Sequence, residues 1–470
     1  MRREGFLCLT LGLVAAVPAA RADVMLIADG TLTGSAAGPN ADLSGLTGSL
    51  ENGAAANLLG GLGSGIAYAG GDTFLALPDR GPNAIPFNPA IDDTASYIDR
   101  FHTVTMNLMP AAPGAPLPFT LTPTLTATTL LSSATPLVYG NADGPGALPQ
   151  NTPNQFFFTG RSDNFDPNQN SGNPADARLD PESIRVSNDR KSVFISDEYG
   201  PYVYQFDRAT GQRLKSFALP GNLYVSNLSP VGDNEISGNT SGRVANKGME
   251  GLAITPDGKT LVGIMQAPLI QDAADPATQN LLRIVTVDIA TGATHEYGYE
   301  LTAGTGASDI VAINDHQFLV DERDGKGLGD GSKAKVKQMF EIDIAGATDI
   351  TNLTGAAAAA AAVKKTLFLD VVAQLNANGI PSDQIPSKIE GIAFGPDVTL
   401  DGMTEHTLFV SNDNDFDVDT SGPNQFFVFG FGDADLPGLA QQLFVPEPAS
   451  LLLLGIGVLG MGVIRRCRAA

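Results

Sequence analysis

The 470-residue chain carries 51 acidic against 28 basic residues, a formal charge of −23, which argues against a nucleic-acid partner because a polyanion would be repelled. Its two cysteines, Cys8 and Cys467, lie near the two ends, so the region between them can hold neither a disulfide nor a thiolate metal site. With 53 glycines, 31 prolines and no tryptophan, the composition favours many turns and short strands.

Arg2 and Arg3 precede an apolar stretch over residues 6–17, and Ala20, Arg21 and Ala22 follow. A short apolar core between a basic start and a small-x-small triplet is the pattern of a cleavable export signal read by a signal peptidase. Residues 1–22 are therefore expected to be removed, with the mature chain starting at Asp23. A retained anchor, the alternative, would need a longer apolar run.

Four segments then repeat one pattern of acid, apolar strand, turn, apolar strand and acid. The first runs from Asp180 and Glu182 through a turn at Asn188 to Asp197 and Glu198; the second from Glu250 through Asp257 and Gly258 to Gln266. The third runs from Ser308 and Asp309 through Asn314 to Glu322 and Arg323, and the fourth from Glu390 to Asp413; a weaker copy leads from Ser64 to Asp79 and Arg80. Antiparallel pairing would bring the two acidic ends of each hairpin side by side. A third alternating strand follows each hairpin, as in residues 202–207 and 282–288, and a turn leads on to a fourth.

Four-stranded units at this spacing predict an all-β fold, a β-propeller over residues 23–444. Five blades are recognisable, and residues 110–178, with an early strand over 24–32, are expected to supply or close a sixth. Only residues 356–367 look helical, and residues 352–365 read as an alanine-rich blade insertion. There is no Gly-x-Ser-x-Gly elbow, P-loop or His-Glu-x-x-His motif.

The chain ends in Val445, Pro446, Glu447 and Pro448, an apolar run over 449–464, and Arg465, Arg466 and Arg468. The run is long enough for a thin transmembrane helix with its basic end on the cytoplasmic side. In this order the three features over 445–470 resemble the PEP-CTERM sorting signal of Gram-negative bacteria. That resemblance implies transient inner-membrane anchoring and cleavage by an exosortase, leaving the product in the envelope or extracellular matrix; a plain C-terminal anchor is the alternative.

The set Asp180-Pro-Glu182, Asn246-Lys247-Gly-Met-Glu250, Ser308-Asp309, Lys364-Lys365 and Ile389-Glu390-Gly resembles the phytase-like family described by esterase-like activity. The resemblance implies a propeller and a possible phosphoester or carboxylester hydrolase. In a propeller the repeated acids Glu182, Glu198, Glu250, Asp309, Glu322 and Glu390 would converge on one channel mouth, where repulsion between them calls for cations. An all-oxygen ligand set favours calcium. Glu250, Glu390 and Asp309 are then the candidate catalytic acids, and Arg80, Lys247 and Arg323 the candidate clamps for a phosphate group. Each acid taken singly could equally cap a turn or pair with an arginine. The alternating runs Asp413, Asp415, Asp417, Asp419 and Asp166, Asn168, Asn170 lack the glycine and closing glutamate of a calcium loop and read as solvated loops. The competing function is a non-catalytic propeller that binds exopolysaccharide or an envelope protein.

Overall fold

Among the described residues, apolar runs of five to twelve residues, separated by glycine, asparagine and aspartate turns, form five antiparallel blades of four strands, the last of which gains a short extra strand, Val398–Leu400. The computed structural model describes residues 24–36, 38–82, 95–139, 148–161, 173–200, 202–227 and 236–445; the expected signal peptide and the expected membrane helix over 449–464 lie outside them. Among the described residues no helix is long and apolar enough to cross a membrane.

Blade 1 comprises Gly65–Gly70, Thr73–Leu77, Arg100–Pro110 and Phe119–Leu130. Blade 2 comprises Pro181–Val186, Ser192–Asp197, Tyr202–Asp207 and Arg213–Ala218, and blade 3 Met249–Ile254, Thr260–Met265, Leu281–Asp288 and Thr294–Glu300. Blade 4 holds Gly306–Ala312, Gln317–Arg323, Lys337–Asp343 and Lys365–Asp370. Blade 5 takes Ile389–Phe394, Met403–Asn412 and Asn424–Phe431 from the C-terminal part and its outermost strand, Met25–Leu32, from the N-terminal part. That strand pairs from Met25↔Gly430 to Leu32↔Asn424, so the two ends of the domain close the ring.

The propeller therefore has five blades, not the expected six. The first strand of each blade packs on the first strand of the next, and that of blade 5 packs on that of blade 1, which leaves no gap for another sheet. Residues 119–130 are the outer strand of blade 1, and Leu131, Leu137, Tyr139 and Phe158 wedge into the core between blades 1 and 2. The alanine-rich helix is also shorter than expected, Gly355–Ala360, because Lys365–Asp370 is needed as the edge strand of blade 4.

A single ion pair fills the channel axis. The Arg185 guanidinium donates to both Asp309 carboxylate oxygens at 3.0 and 2.9 Å and to the carbonyls of Ile66 and Ile310 at 2.7 and 2.8 Å. Asp309 accepts in turn from Ser183 Oγ at 2.9 Å and from the amides of Leu252 and Ile392 at 3.3 and 3.0 Å. The pair thus ties the innermost strands of all five blades together and divides the channel into two separate mouths.

A C-terminal strap crosses one of these mouths. Leu436 is buried, the Ala440 amide donates to Ile313 O at 2.8 Å, and Gln442 Nε2 donates to Val186 O and Asn188 Oδ1 at 2.7 and 2.6 Å. Val445 N donates to Asn188 O at 2.8 Å. The other mouth, where the innermost strands begin, carries the acids.

Candidate functional site at the acidic mouth

Two rings of side chains build this mouth, and strand pairing sets both. Ile66, Ile184, Leu252, Ile310 and Ile392 occupy the same place in the five innermost strands, opposite Ala76, Ile195, Gly263, Val320 and Val410. Two residues earlier stand Ser64, Glu182, Glu250, Ser308 and Glu390, the first ring. Three residues beyond the paired partner stand Asp79, Glu198, Gln266, Arg323 and Asp413, the second ring. In blades 2 to 5 the register slips just before the isoleucine or leucine, at Pro181/Ile184, Met249/Gly251, Ala307/Ile310 and Ile389/Ile392. A bulge of this kind inserts one residue and re-aims its neighbours; here it presents the first-ring side chain to the mouth.

The cavity encloses about 240 Å³ and is lined by six carboxylates, those of Asp79, Glu182, Glu198, Glu250, Glu390 and Asp413. Arg80, Lys247, Arg323 and Lys388 also line it. Seven of the nine residues singled out in the sequence thus meet in one place. Asp309 and Glu322 do not, each for a register reason. Asp309 stands one place after the first ring, where the other blades carry Gly65, Ser183, Gly251 and Gly391. These small residues clear the axis: a Cβ at Gly251 would lie 2.8 Å from Asp309 Cα. Glu322 stands one place before the second ring. It pairs with Lys365 at 2.6 Å and accepts from the Tyr299 hydroxyl and the amides of Thr302 and Ala303. Burial pushes its carboxyl up, but Lys365 and those amides outweigh it and hold it below the usual range.

The acids that do meet fall into two halves. On blade 2, carboxylate oxygens of Asp180, Glu182 and Glu198 lie within 4.8 Å of one another, all buried. Arg80 pairs with Asp180 at 3.0 Å, and the Gly248 amide donates to Glu198 at 2.9 Å. Among the described residues the Glu182 carboxylate has no hydrogen bond and no ion pair, although it is only 7% exposed. Burial, then the charges of Glu250, Asp180 and Glu198, push its carboxyl well above the usual range. Burial and the charges of Glu250 and Asp180 do the same to Glu198 against Arg80 and Arg243.

On blades 4 and 5 the acids are matched by built-in cations. Arg323 bonds to Glu390 and Ser308 Oγ, and Lys388 Nζ pairs with Asp413 at 2.7 Å and with Asp415. Lys388 carries no signal in the sequence, since its partners lie some 25 residues away and meet it only in the fold. The run Asp413–Asp419 is a solvated loop only in its later part: Asp413 is buried and lines the mouth, Asp415 is held by Lys388, and Asp417 caps the turn through the amides of Asp419 and Thr420.

Glu250 faces both halves. Its Oε1 accepts from Gln266 at 2.6 Å with Arg323 3.7 Å away, while Oε2 is buried without a partner. Burial, then the charge of Glu390, push its carboxyl up to about 8 against the pull of Arg323. Lys247 stands exposed at the rim, next to the glycine whose amide holds Glu198.

A family model described as "Esterase-like activity of phytase" matches residues 57–416, and one for the PEP-CTERM protein-sorting motif matches residues 444–468. An uncharacterized secreted protein of Arthroderma benhamiae is 31% identical over 249 residues, 48% of this chain and 46% of that protein; the chain thus spans about half the length of that relative. The sorting motif and the secreted relative make this an exported protein, with exosortase processing implied by the motif. Likenesses to solved structures are remote: hydrazine synthase of Kuenenia stuttgartiensis is 12% identical with a TM-score of 0.30 over 76% of this chain and 78% of that one. A luciferin-regenerating enzyme is 11% identical with a TM-score of 0.32 over 80% and 93%. The first match takes in the hairpins of all five blades and both rings of the mouth, and the chain belongs to the phytase-like family.

Proposed function

We propose that the protein is an exported, cation-assisted ester hydrolase whose active site is the acidic mouth, acting on a phosphoester or carboxylester. The observation that carries this reading is the trio of Asp180, Glu182 and Glu198, three buried carboxylates in mutual reach with one of them unpartnered. Buried charges left in that state cost several kcal/mol each, and a bound cation removes the cost. The donors fit calcium: all are oxygens, several are available, and their spacing is loose. Asp180, Glu182 and Glu198 would hold the ion, with the unpartnered Oε2 of Glu250 next to them. Bound there, it would supply charge neutralisation and polarise the ester toward attack by water.

The protein's own groups do the rest. Glu250, whose carboxyl burial and the charge of Glu390 push up to about 8, is the group placed to pass a proton to the leaving oxygen. Glu390, paired with Arg323, is the acid placed to orient or deprotonate water. Lys247 at the rim supplies a cation for an anionic substrate group, with Arg80 and Arg323 behind it. The envelope of a Gram-negative bacterium is the setting that the sorting signal suits.

The test is hydrolysis of phytate and of nitrophenyl esters by the purified protein, with calcium and with chelator. Calcium-dependent turnover, lost in Glu250→Gln, is expected. Absence of turnover under both conditions, with a polysaccharide bound instead, would turn the reading to a non-catalytic binding propeller.

A further inference from the structure

The end of the channel away from the acids is closed by the strap, and the strap leads directly to the sorting signal. Leu436 is anchored in the core, and the segment then crosses from blades 4 and 5 to blades 1 and 2. Asn314 Nδ2 donates to Gly438 O at 3.2 Å, Gln441 Nε2 to Asp397 at 2.9 Å and Gln442 Nε2 to Val186 O at 2.7 Å. Phe444 packs on Tyr68 with ring centres 5.9 Å apart, under Arg190. The chain is therefore fixed to the propeller up to Val445. Three residues separate Val445 from the apolar run that starts at Ala449. Four Cα steps span at most about 15 Å.

We infer that the strapped face of the propeller is a lipid-apposed face while the sorting tail is attached, and that the acidic mouth opens to the aqueous side. The inference rests on the reading of residues 449–464 as a membrane helix. The two mouths lie at opposite ends of six-residue strands, about 20 Å apart, so a tether of about 15 Å holds one down and keeps the other clear of the headgroups. The mouth then receives a water-soluble ester and not a lipid ester from the same bilayer. It is also open to substrate before an exosortase releases the protein.

The absence of cysteine between residues 8 and 467 makes the test direct. Protein from Asp23 to Ala470 with Cys467→Ser is reconstituted in phosphatidylcholine vesicles carrying a nitroxide on the lipid headgroup. A fluorophore is placed by Lys259→Cys on the strapped face or by Lys326→Cys beside the acidic mouth, both side chains being more than half exposed. Quenching several-fold stronger at position 259 than at 326 is expected. Equal quenching, or stronger quenching at 326, overturns the orientation. A six-residue Gly-Ser insertion after Val445 adds about 20 Å of slack and is expected to abolish the difference; a difference that persists shows that the short tether does not set it. Release of the unsubstituted chain by alkaline carbonate would instead remove the membrane helix, and the inference with it, whatever the hydrolysis assay shows.

Discussion

Asp309 shows how one place in a strand separates a structural role from a chemical one. Acid followed by an apolar strand is a pattern that the sequence displays plainly, and it led to Glu182, Glu250 and Glu390, which do share the mouth. In the third full copy the same pattern pointed to Asp309 and Glu322, when the residues in the rings are Ser308 and Arg323. Alternation cannot distinguish the two, because each innermost strand of blades 2 to 5 gains a residue at a bulge. Asp309→Ala would leave Arg185 charged and buried on the axis, and a loss of about 3–5 kcal/mol in urea unfolding is expected. Arg185→Leu combined with Asp309→Leu should lose less than the two single changes added together. Wild-type stability in Asp309→Ala would rule out the axial pair as a fastening.

The acids of the mouth also give a pH dependence of known sign. Folded Glu250 keeps its proton up to about 8 because of burial and Glu390, whereas an unperturbed glutamate loses it near 4.5. Between those values the folded state binds more protons than the unfolded chain, so stability falls as pH rises. Melting of the chelator-treated protein is expected to drop between pH 4.5 and 8, and calcium is expected to offset the drop by binding the carboxylates of Asp180, Glu182 and Glu198 in the folded form. A melting temperature that rises with pH in the absence of calcium would contradict this.

At the scale of the element, hairpins and blade order could be read from apolar runs and turn residues, while bulges and edge strands could not. The sequence signal at Gly251 and Gly391 is only a glycine beside a glutamate. Its meaning lies in the axis, where a Cβ at Gly391 would lie 2.6 Å from Ser411 Oγ and 2.9 Å from Gly63 O. Gly251→Ala should therefore strain the Asp309 backbone and cost about 1–3 kcal/mol, measurable as a lowered urea midpoint. The alanine run misled in the opposite direction. Its helix propensity is real, but after Ala360 the need of Met339 and Phe340 for an edge partner takes residues 365–370 into a strand.

For the whole molecule, the blade count was the least legible feature. A closing strand leaves no local trace of its partner, and Met25–Leu32 meets Asn424–Phe431 about 400 residues later. Residues 110–178 were long enough to suggest another sheet, yet the described residues among them supply an edge strand and a wedge between blades 1 and 2. A chain starting at residue 33 would expose Phe427 and Phe429 along an unpaired edge. Loss of the cooperative melting transition is expected, and a normal transition would show that the closure is dispensable.

Calcium titration by calorimetry into the chelator-treated, tail-free protein bears most directly on the acidic mouth. Binding is expected in the wild type, weaker by about tenfold or more in Glu182→Gln, as loss of one charged ligand implies, and unchanged in Glu322→Gln, whose side chain lies outside the mouth. No heat of binding in the wild type, or one affinity shared by all three proteins, would contradict the cation site and the hydrolytic role built on it.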